Sequence, residues 1–190
     1  VRALTRTTAI AIARVLGPLF FHSTYLRGRY FESSTQGWRW VLQAIWFQRI
    51  LGFNRHVPWP AHPPVTVHGP GNIHFHQDSL NCFQSPGCYF QAFAGQITIG
   101  NGTYIGPNVG LITANHNPMN LDEHLPAQDV VIGEGCWIGM NAVVMPGVTL
   151  GDRTIVGAGA IVTRSFTSGN CVVAGNPARI IKRLPTGDEP

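Results

Sequence analysis

A chain of 190 residues with a formal charge of +4 and 44% hydrophobic residues has the size for one hydrophobic core plus a modest appendage. Only 12% of its residues are charged, while 22 are Gly and 14 are Pro, so the composition favours many turns and excludes a set of long solvated helices. A spanning helix is excluded as well, because the longest apolar stretch, Ala9–Phe21, is broken by Arg14 and by Gly17-Pro18 well short of about 18 residues.

The first 55 residues hold eight Arg and one acid, Glu32, whereas residues 56–190 hold five basic and eight acidic side chains, a balance of +7 against −3. Within residues 1–56, Arg2–Phe21 and Gly37–Phe53 read as helices, the second with Trp38, Val41, Leu42, Ile45, Trp46 and Ile50 near one face. Arginines interleaved with aliphatic residues and Trp suit a membrane surface better than nucleic acid, although a helical appendage packed on the main domain explains the same pattern. No small-residue cleavage site follows the first apolar stretch, so it does not read as a secretory signal. Residues 57–72, with Pro58, Pro60, Pro63 and Pro64, are expected to be an extended linker.

Beyond residue 73 the chain becomes periodic. An aliphatic residue followed by another short side chain recurs every six residues at Ile132, Ile138, Val144, Leu150, Val156 and Val162, with Cys136, Ala142, Val148, Thr154, Ala160 and Phe166 in the fourth-following slot. A period of six fits neither a helix nor simple alternation; it implies a short strand and a turn, repeated. Three units make a triangular coil of 18 residues, which stacks Ile132 on Leu150 and Ile138 on Val156 in a continuous core. The same phase runs upstream through Phe93, Ile99, Ile105 and Leu111. Leu111 and Ile132 are 21 residues apart, so residues 112–131, with Pro118 and Pro126, are expected to loop out of the prism, a place where function concentrates. After residue 176 a short helix, Ala178–Leu184, is expected to start near Pro177 and open a tail to residue 190.

The four cysteines show no C-x-x-C spacing and too low a density for a disulfide scaffold, which points to a reducing cytoplasm. Cys136 occupies a small-residue slot of the repeat and reads as a core filler.

Six segments, Ile105–Val109, Thr113–His116, Val131–Gly139, Val144–Gly151, Val156–Arg164 and Ala174–Lys182, resemble the hexapeptide-repeat acyltransferases, and within them the maltose and galactoside O-acetyltransferase branch. The resemblance implies an all-β left-handed parallel β-helix over residues 73–176, a homotrimer with sites between neighbouring prisms, and transfer of an acetyl group from acetyl-CoA to a hydroxyl without a metal. It places His116 as the general base, a role that suits imidazole because its unperturbed pKa lies near working pH. The second ring nitrogen then needs an acceptor; Asp122, Glu123 or a backbone carbonyl would serve. Similar enzymes place an Asn where Gln91 stands here, which makes Gln91 the candidate oxyanion donor. Trp137, Met140, Ala158, Thr163, Arg164, Arg179 and Lys182 match the acetyl-CoA site, the cations facing phosphate. Asn108 and Asn115 are expected to face the acceptor, for which a saccharide hydroxyl, on a surface glycan or lipid-linked intermediate, is the preferred reading. His124 reads as a loop surface residue.

Two other classes fit parts of the sequence. A trimeric zinc enzyme like the β-helical carbonic anhydrases would use histidines such as His74, His76, His116 and His124, but the close H-x4-H pair of that family is missing. A non-catalytic scaffold would act through residues 1–55 on a membrane or partner; a basic, Trp-rich block of that kind also suits a location on the inner face of a membrane.

Overall fold

The computed structural model describes residues 2–185, with side chains from Thr7 onward. The tail 186–190 therefore lies outside the described residues. Sixteen short strands follow two N-terminal helices, α1 (Arg2–Phe20) and α2 (Gln36–Ala44), the second running on as a π-helical turn over Ile45–Ile50.

In chain order the strands are β1 (Thr66–His68), β2 (Ile73–Phe75), β3 (Tyr89–Gln91), β4 (Ile97–Ile99), β5 (Tyr104–Ile105), β6 (Gly110–Ile112), β7 (His116–Asn117) and β8 (Asn120–His124). They continue with β9 (Val130–Ile132), β10 (Trp137–Ile138), β11 (Val143–Val144), β12 (Thr149–Leu150), β13 (Thr154–Val156), β14 (Ile161–Val162), β15 (Cys171–Ala174) and β16 (Arg179–Arg183). Parallel pairing sorts them onto three faces. The first face is β1-β3-β6-β11-β14, the second β2-β4-β9-β12, and the third β5-β10-β13-β15, with β16 added at its end. Each turn of the chain visits the faces in that order, which defines a triangular parallel β-helix.

The stacking expected from the hexads is observed: Ile132 pairs with Leu150 and Ile138 with Val156. On the first face Val67, Phe90, Leu111, Val144 and Val162 form one buried column. The small-residue slots satisfy the corners. Buried Thr103 donates to the Gly133 carbonyl at 2.9 Å and accepts from Cys136 N–H at 3.1 Å, while Cys136 fills the interior as expected.

Several boundaries differ from the sequence reading. Phe93 does not occupy the aliphatic slot beneath Leu111; Phe90 does, 21 residues away, and Phe93 projects from the corner at 45% exposure. Two consecutive first-to-second-face corners are thus enlarged, around Phe93 and again at the excursion. The excursion is narrower than 112–131, because Ile112 closes β6 and Val130 opens β9; between them β7 and β8 form an antiparallel hairpin.

Residues 57–72 are no linker. Val57, Trp59, Ala61, Val65 and Val67 are buried, and β1 is the first rung of the prism. Trp59 packs against Phe75 and Phe83 at the start of the core, and Tyr25 from the appendage meets both Trp59 and Phe75. A stacked repeat needs such a cap, since its terminal coil otherwise shows its apolar interior to water. The C-terminal helix is likewise replaced by a strand. Arg179–Arg183 folds back antiparallel on β15 and supplies partners to an edge that would otherwise be bare. A helix that short would be marginal alone, and Ile180-Ile181 favours extended backbone.

Candidate active site

His116 stands on β7, opposite His124 on β8. The hairpin is tied at its base by Leu125 N–H donating to the Asn115 carbonyl and Gln128 N–H to the Thr113 carbonyl, both at 2.8 Å. Its tip projects into solvent, with Met119 at 92% exposure. His116 Nδ1 lies 2.7 Å from the Leu121 carbonyl. A carbonyl can only accept, so Nδ1 carries a proton and in the neutral imidazole the lone pair is on Nε2. Of the three acceptors the sequence left open, the backbone carbonyl is the one in contact; Glu123 instead accepts from Asn117 at 3.4 Å.

The His124 ring packs against His116, centroids 4.3 Å apart and planes 33° from parallel, and Phe93 meets His124 edge-on at 5.2 Å. His124 is exposed on the hairpin, as a loop surface residue should be, and its ring is also a neighbour of the imidazole. The sequence offered no signal for this, because the hairpin register inside the excursion follows no repeat.

Gln91 ends β3 on the same corner. Its Oε1 accepts from Thr113 N–H at 3.1 Å and Ala114 N–H at 3.0 Å, and Thr113 Oγ1 donates to its backbone carbonyl at 2.8 Å. Two N–H donors fix the amide's orientation, so the oxygen anchors the entry to the hairpin and Nε2 remains a donor without a partner among the described residues. Asn115 is exposed and helps line a pocket of about 230 Å³ with Leu125, Pro126, Gln128 and Pro146. Thr163 and Arg164, also exposed, leave β14 at the same corner two coils on, and the Arg164 guanidinium sits 5.4 Å over the Phe166 ring.

The other expected site residues lie elsewhere on the prism. Trp137, 56% exposed, is level with Tyr104 on the third face. Met140 and Ala158 occupy successive rungs of the third-to-first-face corner, where Gly159 N–H donates to the Met140 carbonyl at 2.8 Å. Asn108, at the same corner with φ 57°, donates to Asn141 Oδ1 at 3.0 Å, so its side chain holds a ladder of turn asparagines. Arg179 and Lys182 extend from β16, exposed. The candidates thus form two groups on different corners: Gln91, Asn115, His116, Thr163 and Arg164 on one, Asn108, Trp137, Met140, Ala158, Arg179 and Lys182 on or beside the third face.

No three His, Cys, Asp or Glu side chains converge as a metal cage among the described residues. The cysteines are all buried and unpaired; burial raises Cys136 to about 11, which keeps it a thiol and suits a packing role.

Comparison with known proteins agrees with this architecture. Residues 129–164 match the family described as bacterial transferase hexapeptide (six repeats). The chain is similar to the galactoside O-acetyltransferase of Escherichia coli strain K12, 36% identical over 59 residues, which are 30% of this chain and 29% of that protein. Among solved structures, a galactoside acetyltransferase in complex with coenzyme A superposes with a TM-score of 0.57 at 31% identity, covering 66% of this chain and 62% of that one. A maltose O-acetyltransferase from Clostridium difficile 630 gives 0.56 at 28% identity, covering 66% of each chain. This likeness makes the triangular coil the left-handed parallel β-helix expected from the sequence. The chain spans no more than 39% of the length of the curated relatives it matches.

Proposed function

We propose that the protein is an O-acetyltransferase that moves an acetyl group from acetyl-CoA to a saccharide hydroxyl, with His116 as general base. The observation that carries this reading is the Nδ1–Leu121 contact, which leaves an exposed imidazole with its Nε2 lone pair free to take a proton. In the reaction the acceptor hydroxyl gives its proton to Nε2 as its oxygen bonds to the thioester carbonyl carbon. The carbonyl oxygen becomes an oxyanion, for which the Gln91 amide is the candidate donor. Collapse breaks the C–S bond, and the departing thiolate recovers the proton from the imidazolium, so protons and charge balance.

The separation of the candidate residues onto two corners supports a homotrimer in which one copy supplies His116 and Gln91 and its neighbour supplies Trp137, Met140, Ala158, Arg179 and Lys182. The likeness to galactoside and maltose O-acetyltransferases favours a sugar hydroxyl over other acceptors. No observation favours the zinc reading: His74 and His76 belong to the first coil, while His116 and His124 belong to the hairpin two coils later.

The test is thiol release from acetyl-CoA in the presence of a panel of mono- and oligosaccharides. His116→Ala is expected to lower kcat about 10²- to 10⁴-fold, with an unchanged melting midpoint because the ring is exposed. Equal rates for the two proteins would remove His116 from the mechanism, and turnover only with amine acceptors would replace the saccharide.

A further inference from the structure

Helix α1 is apolar on two opposite sides, and only one of them is covered. Ala13 and Gly17 face inward, where Gly17 lies against Val41, Leu26 and Trp38. On the opposite side Ile12, Val15 and Leu19, spaced three and four apart, are 47%, 71% and 74% exposed. An ordinary surface helix carries charge on its outer side; between Thr7 and Phe20 the only charged residue is Arg14.

The bare stripe continues into the next element. At Ile45 the second helix widens to a π-turn, Leu51 N–H bonding the Trp46 carbonyl at 3.0 Å, and Trp46 and Ile50 lie on its outer side while Val41 and Ala44 are buried. Both are more than half exposed, as is Phe53. Arg49 ties the two elements together: its guanidinium donates to the Phe20 carbonyl at 2.7 Å and lies 4.6 Å over the Phe21 ring. Around them Arg14, Arg39 and Arg55 are exposed, and residues 1–55 carry eight Arg against Glu32 alone, a net of +7. No helix among the described residues is long and apolar enough to cross a membrane.

We propose that this face docks on the surface of an anionic phospholipid bilayer, with Ile12, Val15, Leu19, Trp46, Ile50 and Phe53 entering the headgroup boundary and the arginines meeting lipid phosphates. The charge selects the occupant. A second copy of the chain would set Arg14, Arg39 and Arg55 against arginines of the same sign, whereas an anionic bilayer answers both the apolar stripe and its cationic rim. The inference is independent of the acetyl-transfer reading, since none of its residues belongs to the proposed active site.

The test is flotation of the full chain with phosphatidylcholine vesicles, with and without phosphatidylglycerol. Binding is expected only with the anionic lipid, weakened by added salt, and reduced on the order of tenfold by Val15→Ser/Leu19→Ser. The pair Trp46→Ser/Ile50→Ser repeats the test on the other element, and each variant's melting midpoint verifies folding. Two results would overturn the proposal: a wild type that fails to float, whether or not sedimentation shows it self-associating through this face, or folded variants that bind as well as the wild type.

Discussion

At the scale of single residues, the imidazole of His116 is held by two contacts of different kinds. The Leu121 carbonyl sets which nitrogen bears the proton, and the His124 ring limits where the plane can turn. If His116 is the base proposed above, His124, backed by Phe93, is a positioning residue. Misplacing a reacting group by a fraction of an ångström lowers turnover far more than binding. His124→Ala is therefore expected to reduce kcat by about tenfold while leaving the KM for acetyl-CoA unchanged. His124→Phe, which keeps a ring in contact, should restore most of the rate. Steady-state kinetics on the two variants decides; an alanine variant indistinguishable from wild type would leave the ring contact without a role.

At the scale of the element, each hexad is a strand and a corner, and successive corners stack so closely that some positions admit no side chain. A Cβ at Gly139 would lie 2.7 Å from the Ala158 nitrogen and the Val156 oxygen, both backbone atoms of the next coil that cannot turn aside. Gly139→Ala is expected to destabilise the fold by about 1–3 kcal/mol through overpacking. Gly71, where a Cβ meets nothing, is the control: Gly71→Ala should leave the midpoint of denaturant unfolding close to wild type. Comparable losses at the two sites would mean that coil-to-coil approach does not limit the stack.

At the scale of the whole molecule, a prism has three corners, and residues on different corners cannot converge within one copy. The candidate residues divide along that geometry, with His116 on the hairpin corner and Arg179 beyond the third face. Co-expressing His116→Ala chains with Arg179→Ala chains is accordingly expected to recover activity that neither variant shows alone. In randomly mixed trimers about a quarter of the interfaces take their hairpin from an Arg179→Ala chain and their β16 strand from a His116→Ala chain, so both groups are intact there. A mixture no more active than its inactive parents would place both groups in one chain and overturn the shared site.

Periodicity in the amino-acid order was enough to define the coil, its aliphatic columns and the departure of the chain between Leu111 and Ile132, because each coil must bury its neighbour's face at a fixed spacing. The resemblance of Thr113–His116 to the hexapeptide-repeat acyltransferases, and not the period, singled out His116 over His124 within that departure. Periodicity misplaced Phe93, residues 57–72 and Arg179–Arg183, all at ends or corners, where local pattern gives way to the need to cover an open core or an unpaired edge. The contacts among Phe93, His124 and His116, the carbonyl that holds the imidazole and the bare side of α1 arise between residues with no shared repeat. Only the tertiary structure could decide them, since hairpin register and the packing of one element on another are set by distance in space and not by spacing along the chain.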